Sequence, residues 1–169
     1  MKYISKAILM AAVCVFASGA VFAQTSTFSD PSVEYTFEIP DERWNMTVRP
    51  SDSNTSPEFV FVDRNDGYFT IRKTTASPDT PLSDVIREEE QKLQFMRGYV
   101  AGREENFRGK LSGTIFNFEF VERGRPKSGR FYFLRSGSTV YILRFTGYRD
   151  KLRSIQHFTD SIARTFSVS

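Results

Sequence analysis

A chain of 169 residues with one cysteine and one histidine has no means of forming an internal disulfide scaffold or a conventional zinc site, so packing must hold it together. Its 17 Phe and 7 Tyr supply that packing. The 23 cations against 20 anions leave too small an excess for bulk binding of nucleic acid.

Met1 to Ala23 reads as a secretory signal peptide. It has a cationic start at Lys2 and Lys6, an apolar run from Ala7 to Phe16, and small residues before a cleavage site placed after Ala23. Ser18 and Gly19 interrupt the apolar run short of the ~20 residues that a stable membrane span needs. Cys14 is an apolar signal residue and not a lipidation site, because Val13 stands where a lipoprotein signal carries a small residue. Removing residues 1–23 from the 169 leaves 146, the size of one domain, and takes away the cysteine and two lysines. What remains is nearly neutral, and no transmembrane segment is expected in it. The remaining charge is unevenly spread. Gln24–Glu105 holds 9 cations and 16 anions, whereas 106–169 holds 12 cations and 4 anions. The two readings of that split are an interaction surface and two halves that interleave in one sheet.

Residues 24–32 are polar and read as a flexible start. A single domain is expected over 33–169. Its first strand is Val33–Ile39, where Val33, Tyr35, Phe37 and Ile39 alternate onto one side. Pro40 and DER turn the chain into Trp44–Val48, and PSDSNTSP at 50–57 is a loop. Glu58–Val62 and Tyr68–Thr74 form a hairpin across DRNDG, since Asn, Asp and Gly tolerate the positive φ of a tight turn. A helix follows, capped by Thr80, with Pro81 in its first turn, an apolar stripe of Leu82, Val85, Ile86, Leu93 and Met96, and Gly98 as its stop. Strands are expected at Arg103–Arg108, Gly113–Glu122, Arg130–Arg135 and Thr139–Thr146, with Phe116, Phe118 and Phe120 sharing one face. One continuous helix from Arg149 to Thr165 closes the chain, marked by Leu152, Ile155, Phe158, Ile162 and Phe166. The order predicts an α+β domain, one mostly antiparallel sheet with helices on its faces.

YTFEIPDERW near the start, the hairpin pair and helix in the middle, and TVYILRFTGYRDKLRSIQHFTDSIARTF at the end together resemble the PsbP-like superfamily. The resemblance spans nearly all of the chain beyond the signal and rests on fold positions. It implies an α/β/α sandwich around an antiparallel sheet, and proteins that act by docking to larger partners: an extrinsic photosystem II subunit, a nuclear-transport factor that binds the GTPase Ran, and bacterial envelope proteins. No metal or Ran contact residue of that superfamily carries over to a position here.

Catalytic sets do not assemble in the sequence. His157 falls on the polar side of the last helix and no GxSxG is present, so a nucleophile with its base is not indicated. KSG at 127–129 lacks the S-x-x-K that would accompany it in penicillin-recognising enzymes. DRNDG places its glycine one position early for a calcium loop and Thr74 where the bidentate Glu belongs. Gly109 and Lys110 are followed by Leu111, not the Ser or Thr of a P-loop. Tyr99, close in sequence to Arg97 and Arg103, reads as core more than as a stacking platform. No cofactor is expected.

One stretch stands out, ERGRPKSGR at 122–130. Its glycines, proline and serine make it a turn between two apolar strands, but the turn does not require Arg123, Arg125, Lys127 and Arg130 all to be cationic. Guanidinium forks suit carboxylates and phosphates. These four are the candidate contact to a partner protein or an anionic envelope component. The expected function is an exported, non-catalytic binding or accessory module of the periplasm or the exterior. The alternative is a small-ligand carrier or enzyme with a cleft between sheet and helix near Trp44 and Tyr99.

Overall fold

The computed structural model describes residues 25–169. The expected signal peptide and its cleavage after Ala23 lie outside the described residues. In chain order the elements are β1 (Ser26–Phe28), β2 (Tyr35–Ile39), β3 (Trp44–Val48), β4 (Glu58–Phe61), β5 (Tyr68–Thr75), α1 (Leu82–Leu93), β6 (Val100–Arg108), β7 (Ser112–Glu122), β8 (Arg125–Ser136), β9 (Thr139–Tyr148), α2 (Arg149–Ser154), α3 (Gln156–Thr165) and β10 (Ser167–Val168). Seven strands form one sheet in the order β3-β4-β5-β9-β8-β7-β6, and β1-β2-β10 form a second. Every pairing is antiparallel. The fold class is the expected α+β arrangement, mostly antiparallel with helices on both faces. The halves of opposite charge do interleave, since β5 pairs with β9 and β6 with β7.

Strand alternation divides the core in two. Phe69, Ile71, Tyr132, Leu134, Leu143 and Phe145 face α2, α3 and the small sheet. Phe116, Phe118, Phe120, Phe131, Phe133 and Ile142 face α1. The expectation that the three phenylalanines of β7 share a face is met, and the face is the one beneath α1.

Five local expectations are corrected. Residues 24–32 are not a loose start throughout: Phe28 in β1 is buried and its ring stacks 4.8 Å from that of Phe37, which holds the segment down. The sheet is not single, because Ser167 and Val168 leave the last helix and pair with Thr36 and Tyr35. That helix is not continuous. It breaks at Ile155 (φ −103°, ψ 12°), and Thr159, seven residues after Leu152, faces the sheet fully buried where Phe158 is only half-buried. Gly67, where an added Cβ would lie 2.8 Å from Ile155 Cδ1, is what lets the break approach the β4–β5 turn. Finally, Thr80 does not cap α1. Pro81 occupies the cap position, and Arg135 from β8 donates to the carbonyls of Ser77 (2.8 Å) and Thr80 (2.6 Å). α1 ends at Leu93, well before Gly98. DRNDG does join the two strands, with Asp63 Oδ1 accepting from the amides of Asn65 (2.6 Å) and Asp66 (3.1 Å), but the positive φ expected of its Asn, Asp or Gly falls instead on Val62 (φ 56°).

Candidate functional site

The ERGRPKSGR stretch is much less of a loop than its composition suggests. Glu122 already pairs with Arg125, so the turn is two residues, Arg123 (φ 50°) and Gly124 (φ 76°). Two successive positive φ values are the geometry whose twist matches a hairpin. Everything from Arg125 onward is strand β8. Pro126 is tolerated there because β9 pairs no further than Lys127↔Tyr148, leaving Pro126 without a neighbour on that side. Its partner across the hairpin, Val121, sends its own amide away to the carbonyl of Arg97 at 2.7 Å. The turn is therefore stiff.

This geometry separates the four cations. Arg123 and Arg125 are exposed, and among the described residues neither is in an ion pair. Arg125 holds its guanidinium 5.3 Å from the ring centre of Tyr148. Lys127, on the same face, is buried, with its ammonium on Glu122 and 5.4 Å from the same ring. The hydrogen bond from Lys127 holds the Glu122 carboxyl below its ordinary range. Arg130, an odd number of residues further along the strand, points through the opposite face.

Arg130 is 8% exposed and fully engaged on that face. Its Nε donates to the Tyr132 hydroxyl at 2.7 Å, one terminal nitrogen to Asn117 Oδ1 at 2.9 Å and the other to Asp160 Oδ1 at 2.9 Å. Tyr132 also donates to Asp160, and its hydroxyl lies 2.8 Å from Thr159 Oγ1. Burial works against the charge of Arg130, but the Tyr132 hydroxyl and the Asp160 carboxylate outweigh it and its proton affinity is raised. Burial likewise pushes the Tyr132 phenol up, with Asp160 adding to the rise. The network fixes β8 to α3.

Two cavities meet at this arginine. One, of about 270 Å³, lies between the start of β6, β7, β8 and α2, with Gly102, Gly129 and Leu152 among its lining residues and Arg149 and Arg153 contributed by α2. The other, of about 430 Å³, continues along α3 past Asp160 and Arg164, and both are lined by Arg130 and Gln156. Arg149 lies 3.5 Å from Glu119, and Arg164 lies 5.9 Å over the Phe107 ring. The result is a groove with a buried cation at its waist and arginines along one wall, suited to holding a polar or anionic group. Sequence reasoning placed only His157 on the polar side of this helix and did not single out Arg149, Arg153, Gln156, Asp160 or Arg164. Their spacing of three, four or seven residues beside the apolar stripe was the available signal. The cleft expected near Trp44 and Tyr99 is not there: Trp44 packs on Phe61 and Phe69 in one core, Tyr99 on Phe118 against the other, on opposite sides of the sheet.

His157 is exposed, as expected, with its ring 3.9 Å from that of Phe158. It lines a third cavity of about 340 Å³ with Arg43, Asp66, Lys151 and Ser154. The Ser154 hydroxyl donates to the Lys151 carbonyl at 2.7 Å, so it is spent on the helix backbone and not activated by the imidazole. Among the described residues no group of three or more His, Cys, Asp or Glu side chains is placed to hold a metal ion, and no helix is long and apolar enough to cross a membrane.

No protein-family model matches the sequence, and no curated protein matches it. Solved structures do. The solution structure of cyanobacterial PsbP (CyanoP) from Synechocystis superimposes with a TM-score of 0.62 at 14% identity, over 89% of this chain and 96% of that one. The Ran-binding protein Mog1p of Saccharomyces cerevisiae does so with a TM-score of 0.63 at 10% identity, over 86% and 96%. LpqN of Mycobacterium tuberculosis, involved in cell envelope biogenesis, gives 0.56 at 14% identity, over 86% and 91%. At such identities the likeness is one of fold, and on it the chain has the PsbP-like fold that its sequence resembled.

Proposed function

We infer that this protein is an exported, non-catalytic binding or accessory module that docks to a larger partner of the cell envelope, after removal of residues 1–23. The observation that carries the reading is the hairpin tip. Arg123 and Arg125 stand exposed, without an ion-pair partner among the described residues, on a two-residue turn too tight to be a flexible loop. Fixing charged side chains in advance lowers the ordering cost of binding, and a guanidinium held against Tyr148 is so fixed. Lys127 and Arg130 belong to the same reading as supports, the first through Glu122 at the base of the tip, the second through the anchoring of β8 to α3. The fold is consistent with it, since Mog1p is a Ran-binding protein and LpqN is involved in envelope biogenesis.

The test is co-purification from the native envelope at low and moderate salt, comparing wild type with Arg123→Glu/Arg125→Glu. The expected outcome is a partner retained by wild type, lost by the double variant and weakened by salt, with the thermal midpoint unchanged because both side chains are exposed. Equal retention by the two proteins would overturn the assignment. The groove around Arg130 supports a second reading, a carrier of a small anionic ligand. A ligand seated there would raise the thermal midpoint of wild type and not of Arg153→Glu.

A further inference from the structure

α1 covers only part of the sheet face on which it lies. Its Val85, Ile86 and Leu93 pack over β7, β8 and the adjoining part of β9. α2 and α3 belong to the other core, so among the described residues no helix covers the stretch of this face toward β5 and β4. Alternation places Tyr68, Thr70 and Arg72 of β5 and Arg144, Thr146 and Tyr148 of β9 on it, because Phe69, Ile71, Leu143 and Phe145 go to the opposite side. The register sets Thr70 directly across from Arg144 and Tyr68 across from Thr146.

Arg144 is the anomaly of that face. It lies in the middle of the sheet, with its guanidinium 4.9 Å over the Phe131 ring. Its Nε is buried and has no hydrogen-bond partner, and among the described residues Arg144 is in no ion pair. The carboxylate in its vicinity, Glu89, is held by Lys92 and by Arg72 at 3.6 Å. Burial depresses the proton affinity of the guanidinium, and the pull of Glu89 does not restore it. Buried polar groups in proteins are nearly always paired, and a buried cation is normally matched by a carboxylate. Arg144 is half-buried: its Nε is enclosed and unpaired, while its terminal nitrogens stay open to a ligand from outside the described chain.

We propose that this helix-free face docks an acidic segment of a partner protein, one of whose carboxylates takes the fork of Arg144. The proposal rests on the accessory-module reading and gives it a second, central contact. Charge complementarity sets the occupant. Arg144 over Phe131 and Arg125 beside Tyr148 are both without an ion pair on this face, whereas its carboxylates are already taken, Glu58 by Arg64 and Glu89 by Arg72 and Lys92. A protein fits better than nucleic acid, because two unpaired arginines on a chain of formal net charge +3 neutralise few phosphates, and nucleic-acid affinity grows with that number.

The test places a photo-cross-linking phenylalanine analogue at Tyr68, irradiates cells, and identifies the cross-linked peptide by mass spectrometry. It is run in the wild-type background and with Arg144→Met or Thr70→Glu. Methionine removes the fork while filling the space, and a glutamate at Thr70 occupies Arg144 from within the chain. The expected result is a cross-link to a partner segment in which Asp and Glu outnumber Lys and Arg. Its yield should fall about tenfold or more in both variants, while neither variant melts below wild type. A cross-link to lipid, to nucleic acid, to a second copy of this chain or to a segment that is not acidic would overturn the proposal. So would an undiminished yield, or a lowered melting temperature showing that Arg144 is structural. If a partner co-purifies and Arg144→Met leaves it bound, this face is wrong and the accessory-module reading stands; if no partner co-purifies and no cross-link forms, both fall.

Discussion

Arg130 and Arg144 sit on neighbouring central strands and point through opposite faces of the same sheet. The first is surrounded by acceptors: Tyr132, Asn117 and Asp160 take its donors, and α3 brings two of the residues that complete the network. The second rests on an aromatic ring with a buried donor left over. Both carry the same charge through a similar backbone. What differs is whether a helix supplies the counter-charge. A buried cation matched within the chain is architecture, because its loss exposes an opposite charge and unlocks an element. A half-buried cation with an enclosed, unpaired donor has fork positions left for a partner from outside. The fold can carry both because its stability comes from two aromatic cores, neither of which depends on Arg144.

The sharpest way to break that contrast is to take the counter-charge from Arg130. Asp160→Ala leaves Arg130 at 8% exposure without its carboxylate, and removes the acceptor of the Tyr132 hydroxyl as well. Breaking a fully buried pair costs ~3–5 kcal/mol. Asp160 keeps 28% of its side chain exposed, so water can enter and about 2–3 kcal/mol is expected. Urea unfolding measures it. A loss below ~0.5 kcal/mol would mean that Arg130 is held by packing alone and that the two arginines do not differ as argued.

A smaller effect of opposite sign is expected at the hairpin. Arg123 adopts φ 50° in the turn ahead of Gly124, a conformation that costs a non-glycine residue about 1 kcal/mol and that asparagine accepts more readily. Arg123→Asn should raise stability by roughly 0.5–1 kcal/mol in the same assay. It should also weaken partner retention, which would mark Arg123 as a residue kept for contact at the expense of its turn. A stabilised variant that keeps its partner in full would leave only Arg125 as the exposed contact.

Much of this architecture is written locally, and much of the site is not. Alternation in VEYTFEI and FNFEF, the Asn, Asp and Gly of DRNDG and the stripe beginning at Leu82 are short-range signals, and the strands, turn and helix they mark are present. The packing of Ile155 against Gly67 joins residues far apart in sequence, and the strand at Ser167–Val168 depends on the free edge of β2, so neither has a local signature. The same limit explains the cations. Composition identified Arg123, Arg125, Lys127 and Arg130 as a cluster, but only the register reveals that Pro126 lies past the end of β9 and that Lys127 and Arg130 face opposite ways. Arg144 carried no motif at all. Its significance is a missing neighbour, and a sequence does not record what fails to pack against a residue.

A third kind of charged position sharpens the comparison further, with the smallest effect. Glu34, just before β2, accepts from Lys73 of β5 at 2.9 Å and from the Tyr141 hydroxyl of β9 at 2.8 Å, tying the small sheet to the large one near the surface. The hydrogen bond from Lys73 holds its carboxyl below the ordinary value of 4.5 against the opposing effect of burial, and Tyr141 adds to it. A carboxyl whose folded value is depressed contributes stability that is complete above its unfolded value and disappears as pH falls through the folded one. Both arginines remain charged over that range, so their difference does not move with Glu34. Wild type should therefore outlast Glu34→Gln in urea at pH 7 by a modest margin that narrows as pH drops below 4.5. A margin that widened on acidification would show that the neutral form is the one the fold prefers, and that Glu34 behaves as a buried acid and not as a surface tie.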